Sequence, residues 1–100
     1  MKVEYEGDDL RQMAEDSAFP TPKYGKDLTR AFRKAIGLLE SVSSQAELRN
    51  FRGLRLEQLK GKKYEGCHSV RLNKQWRLII RFQASDDGQA IWVIEIVDYH

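Results

Sequence analysis

The feature that most constrains this chain is the two-residue alternation of its last third. Trp76, Leu78, Ile80 and Phe82 fall on one side of an extended strand, and Arg77, Ile79 and Arg81 fall on the other. A second apolar run, Ala90 to Tyr99, follows the hairpin signal Asp86-Asp87-Gly88. Upstream, Tyr64 to Leu72 has the same period, weakened by Gly66, and Asn73-Lys74-Gln75 is a tight turn. Alternation with short turns predicts a three-stranded antiparallel meander. It ends in Asp98-Tyr99-His100, three groups able to hold or move a proton at the rim of an apolar sheet.

The first two thirds have a helical period. Lys2 to Glu6 alternates as a short strand, and Gly7-Asp8-Asp9 breaks it and offers a helix cap. Leu10, Met13, Ala14 and Ala18 then predict a short amphipathic helix over Asp9 to Ser17. Phe19-Pro20-Thr21-Pro22 is a stiff connection, because each proline pushes its predecessor out of the helical region. Tyr24, Leu28, Phe32, Ala35 and Leu39 form the core stripe of a second helix, and Gly37 costs it only about 1 kcal/mol. Lys26, Arg30, Arg33 and Lys34 lie on its other side, as a solvated face or as an RNA contact. Ser44-Gln45-Ala46-Glu47 fits a capping box, so a third, very short helix runs to about Phe51. Arg49, Arg52 and Arg55 recur every three residues beyond it, and Lys60-Gly61-Lys62-Lys63 is a basic loop. With helices first and strands last, residues 1–100 read as one α+β domain. Its N-terminal strand and two to three helices pack on an antiparallel C-terminal meander.

The net charge of +2 hides an asymmetry. Residues 1–22 carry two basic and six acidic groups, residues 23–82 fifteen basic and five acidic, and the last eighteen four acids and no Lys or Arg. A basic block in mid-chain attracts polyanions, of which nucleic acid is the commonest. Cys67 is the only cysteine, which rules out an internal disulfide and fits a cytoplasmic setting. The first residues lack the basic, then apolar pattern of a signal peptide. The apolar run Ala90 to Val97 is broken by Glu95 and falls short of the roughly 20 residues a membrane helix needs.

Cys67 and His68 are strand neighbours and face opposite ways, which argues against a shared metal and against a Cys-His nucleophile pair. No CxxC, HxxxH or phosphate-loop spacing occurs. The remaining chemistry is a metal-free, cofactor-free set: Lys60, Arg77, Asp98, Tyr99 and His100, with Arg71 and Arg81 near. Such a set suits RNA cleavage by the substrate's own 2′-hydroxyl. His and Tyr do the proton work, and Arg and Lys hold the charge on phosphorus. A plain protein-interaction module fits the charge pattern as well, but leaves the terminal Asp-Tyr-His unexplained.

Three segments carry a resemblance over essentially the whole chain. They are Arg55-Leu56-Glu57-Gln58-Leu59-Lys60-Gly61, then Ser69-Val70-Arg71-Leu72-Asn73-Lys74-Gln75-Trp76-Arg77, then Val97-Asp98-Tyr99-His100. The chain resembles the HigB-type toxins of the RelE superfamily, from type II toxin–antitoxin systems. The resemblance implies a RelE-like fold and an endoribonuclease that cuts mRNA in the decoding site of translating ribosomes. It implies a cognate helix-turn-helix, HigA-like antitoxin, with operator DNA bound only through the antitoxin complex. By position, Arg77 matches the family's phosphate-binding arginine, His100 its terminal acid/base, Asp98 and Tyr99 their catalytic neighbours, and Lys60 a lysine of the Leu-Lys-Gly segment. Arg30, Arg33, Lys34, Arg49, Arg52, Arg55, Lys62, Lys63, Arg71 and Lys74 are then expected to meet RNA or the ribosome. Glu57 departs from the pattern, standing where some members carry histidine. A carboxylate there repels phosphate unless it is paired, which keeps open a non-catalytic inhibitor of the same fold. If His100 closes the chain, its α-carboxylate favours the charged imidazole, and a C-terminal tag is expected to lower activity.

Overall fold

The computed structural model describes residues 1–86 and 88–98. The catalytic candidates Tyr99 and His100 lie outside the described residues, as does Asp87 of the hairpin turn. In chain order the elements are β1 (Lys2–Tyr5), α1 (Asp8–Glu15), α2 (Gly25–Ser41), α3 (Gln45–Leu48), β2 (Glu57–Gln58), β3 (His68–Arg71), β4 (Trp76–Ser85) and β5 (Gly88–Asp98). A 3-10 turn, Arg52–Leu54, lies between α3 and β2.

The fold is α+β, as the order of periods implies. Its core joins Leu28, Phe32, Ala35, Ile36 and Leu39 of α2 to Val70, Leu78, Ile80, Ile91, Val93 and Ile96 of the sheet, with Leu10, Met13 and Leu48 closing the ends. Phe32, Leu39 and Leu48 are wholly buried, so apolar area taken from water at these positions drives the packing. Ser44 caps α3 by accepting from the Glu47 amide at 3.1 Å, and the Glu47 carboxylate reaches back to the Ser43 amide at 3.0 Å. That return bond lands one residue earlier than in an ideal capping box.

The expected three-strand meander is the centre of a larger sheet, with order β1-β5-β4-β3-β2. β1 lies parallel to β5 at one edge, and two-residue β2 lies antiparallel to β3 at the other. The strand expected over Tyr64 to Leu72 is shorter, His68–Arg71. Gly66 takes φ +81 and the Cys67 amide turns back to the Tyr64 carbonyl at 2.9 Å, so residues 60–66 form a loop and not a strand. That loop is tied over the outer sheet face: the Tyr64 hydroxyl donates to the Glu95 carboxylate at 2.6 Å. The shared proton holds the Tyr64 pKa above the usual phenol range.

The Trp76–Phe82 alternation is borne out. Leu78 and Ile80 enter the core, while Arg77 and Ile79 are buried on the opposite face. Between Ile79 and Ile80 the register to β5 slips, Glu95 pairing with Ile79 and Val93 with Ile80. Ile94 is the extra residue of a β-bulge, and the slip resets which β5 residues share a face with Arg77.

Candidate functional site: a cationic cleft around Arg77

Arg77 is the unusual residue of the molecule, an arginine only 6% exposed. Burying a guanidinium is costly unless its donors are matched. Nε donates to the Ser69 hydroxyl at 2.8 Å, and Nη2 donates to the Arg55 carbonyl at 2.7 Å and to the Ser69 carbonyl at 3.3 Å. Ser69 is 1% exposed and sits on β3, two positions before Arg71, which pairs with Arg77 across the ladder. The Arg55 carbonyl is aimed by backbone conformation: φ 46 and ψ 57 place this non-glycine residue in the left-handed region, which ordinary side chains seldom adopt. A seryl hydroxyl and two carbonyls thus fix the orientation of one cation without neutralising it.

Around it opens a shallow cleft of about 420 Å³ lined by Arg55, Arg71, Asn73, Lys74 and Arg77. Asn73 shapes its lip. Its side-chain oxygen accepts from the Gln75 and Trp76 amides, both at 2.8 Å, and its carbonyl accepts from Arg71 Nε at 3.0 Å. Arg71 and Arg77 are directly cross-strand, a like-charge pairing that opposes folding. Four cations on one concave surface give it a positive potential, which favours anions. Among the described residues Glu57 is an acid set against them: its Oε2 lies 3.7 Å from Arg77 Nη2 while the side chain is half exposed. The condition attached to Glu57, that it be paired, is met.

The other candidates divide. Lys60 and Lys62 line a neighbouring cleft of about 450 Å³ with Gln58, Leu59, Glu65 and Gly66, not the cleft of Arg77. Lys63 lies over the Tyr64 ring at 5.3 Å. Asp98 pairs with Trp76 and accepts from Gln75 Nε2 at 2.9 Å, so by strand alternation it belongs to the face opposite Arg77, whose partner is Val97. Arg30 is exposed and 3.7 Å from Asp27. Arg33 is turned inward: Nε donates to the Met13 carbonyl at 2.9 Å and Nη2 to that of Asp16 at 3.2 Å, closing the C-terminus of α1. Lys34 and Arg52 share a groove with Arg71, and Arg49 is exposed beside His68. Burial, then the positive charge of Arg49, lowers the His68 pKa.

Sequence reasoning left out Ser69 and Asn73 as site-building residues. Both lie inside the segment that carries the resemblance, and a serine at alternation with a buried arginine is the signal that points to the first.

Compared with known proteins, residues 4–100 match the profile described as the RelE-like toxin of type II toxin–antitoxin system HigB. Among solved structures, the YoeB/ParE toxin from Agrobacterium tumefaciens is similar, with a TM-score of 0.56 and 19% identity over all of both chains. At that identity the likeness speaks to the fold. No curated protein matches the sequence.

Proposed function

The chain belongs to the HigB-like family of RelE-like toxins of type II toxin–antitoxin systems, and from that premise we propose that it is a ribonuclease that cuts mRNA on the translating ribosome. The observation that carries the reading is the buried, oriented Arg77 in its cationic cleft. In this reaction the RNA 2′-oxygen attacks the adjacent phosphorus, its proton passes to a base, and the 5′-oxygen leaves with a proton from an acid. The products are a 2′,3′-cyclic phosphate and a 5′-hydroxyl. The nucleophile comes from the substrate, so the chemistry needs proton transfer and charge stabilisation and no metal.

Arg77 holds the phosphoryl oxygens as negative charge builds on them. An arginine already fixed by Ser69 and Arg55 loses little side-chain freedom on meeting phosphate. Arg55, Arg71 and Lys74 hold the flanking phosphates. Glu57, released from Arg77 when phosphate arrives, is the carboxylate beside the scissile group and accepts the 2′-hydroxyl proton. His100 supplies the proton to the leaving oxygen, with Tyr99 and Asp98 orienting it. Lys60, with Lys62 in the next cleft, screens phosphate charge along the strand. The partner that restrains the toxin is its cognate antitoxin; a helix-turn-helix form of it, and action in the cytoplasm where ribosomes are, belong to the same proposal.

The Glu57–Arg77 pair also favours a second reading, a ribosome-bound inhibitor that does not cut because its arginine is already occupied. Mapping of mRNA 5′ ends after a brief pulse of expression separates the two. New ends inside translated codons, lost with Arg77→Ala while ribosome binding persists, support cleavage. Growth arrest without new ends supports the blocking inhibitor.

A further inference from the structure

One cavity, larger than the cleft of Arg77, lies outside the proposed reaction centre. A groove of about 620 Å³ runs between α2, the 3-10 turn and the end of β3. This is within the range of about 300–1,000 Å³ typical of pockets that take a discrete ligand. Its floor is apolar, from Ala31, Ala35 and Leu38 on α2 to Leu54 and Leu72. Phe51 stands at its edge, 37% exposed, an unusual exposure for a large apolar side chain among the described residues. The charged groups lining it are Lys34, Arg52 and Arg71, all cations.

We infer that this groove is where the antitoxin docks, through an amphipathic segment whose apolar side chains enter between Phe51 and α2 and whose Asp or Glu residues meet Lys34, Arg52 and Arg71. The inference rests on membership of a toxin–antitoxin family and not on the cleavage reading. Charge and apolarity together select the occupant. Phosphates would be matched by the cationic rim, but RNA gains little from a floor of Ala and Leu. A helix with apolar anchors and flanking acids matches both.

The groove is continuous with the cationic cleft through one residue. Arg71 lines both. A carboxylate engaged at Arg71 withdraws a cation that flanking phosphate needs, so the segment inhibits the toxin without covering Arg77. Acidic contacts at an exposed rim also make association weaken with added salt.

The test is binding of the purified cognate antitoxin to purified toxin, measured by calorimetry, with Phe51→Ala and Ala31→Glu. The first removes an apolar anchor and the second sets a like charge in the floor. Each is expected to weaken binding about tenfold or more, with the toxin's own growth arrest retained. Hydrogen exchange on the unaltered complex gives a readout that does not depend on how the variants fold. Amides of residues 50–54 should gain protection when antitoxin binds. Binding within about twofold of the parent, or no protection at 50–54, overturns the inference. So does loss of ribosome binding with antitoxin affinity intact, which would make the groove an RNA surface. So does self-association of the toxin that either variant abolishes, which would make the occupant a second copy.

Discussion

Ser69→Ala is the sharpest test of how Arg77 is held. The Ser69 hydroxyl accepts from Arg77 Nε at 2.8 Å inside a site where both residues are buried. A hydrogen bond to a charged group contributes about 1.5–3 kcal/mol. The two carbonyl contacts at 2.7 and 3.3 Å hold Nη2 and not Nε, so they limit rotation of the guanidinium without replacing the lost acceptor. With about 1.4 kcal/mol per tenfold, the loss corresponds to roughly 10- to 100-fold if expressed wholly in transition-state binding, and to less if shared with folding. Single-turnover cleavage of mRNA on programmed ribosomes reads the first share, and denaturant unfolding reads the second. In a double-mutant cycle with Arg77→Lys, Ser69→Ala should add little once the guanidinium is gone. Unchanged cleavage beside a full loss of stability would refute the reasoning, because Ser69 would then support the fold and not the orientation of Arg77.

Glu57→Gln keeps the shape of the side chain but removes the charge 3.7 Å from Arg77. If Glu57 is the proton acceptor, cleavage falls by about 100-fold or more while RNA binding is kept or tightened. Equal cleavage by the variant would leave Glu57 as a competitor for Arg77 only. Arg33→Met removes the donors to the Met13 and Asp16 carbonyls and should cost about 1–2 kcal/mol, a fall in Tm of several degrees by calorimetry. For His68 the folded pKa is lowered from 6.5, so protons favour the unfolded chain. Its stabilising share is complete above the unfolded value and is lost as pH falls through 6.5 toward the lower folded value. His68→Asn should therefore flatten unfolding free energy against pH between about 7 and 5.5, and an unaltered slope would remove the argument.

The two hydrophobic periods and their order were enough to fix class, faces and the three central strands, because alternation decides which side of a strand is apolar. They were silent on neighbours. Val3 and Tyr5 mark a strand, but nothing local says that it lies parallel to Ile91 and Val93. Two-residue β2 leaves no periodic trace, and its pairing of Glu57 with Ser69 is set by the chain around it. The candidate site was legible where residue type dominates, as with Arg71, Lys74 and Arg77 in one cleft. It was illegible where a backbone atom does the work, as with the Arg55 carbonyl. Asp98 was grouped with Arg77 in one catalytic set by residue type alone, and only the strand pairing shows that it shares a face with Trp76. Arg33 looked like surface charge because its partners are carbonyls, which sequence does not advertise.

The sheet divides its labour by face, and that division explains why the buried cation is tolerable. On the helix side Leu78, Ile80, Ile91 and Val93 remove apolar area from water, which drives folding. The other side can then carry Arg71 opposite Arg77, a like-charge pairing that costs stability and is eased by negative charge nearby. Glu57 supplies part of that negative charge in the free protein, from an edge strand only two residues long. A short, half-exposed edge is easily displaced, so in the proposed reaction RNA phosphate takes over the place of the carboxylate without unpicking the core. A strongly buried acid in its stead would hold Arg77 too tightly to release. For the proposed reaction, the exposure of Glu57, as much as the burial of Arg77, is what would make the pair exchangeable.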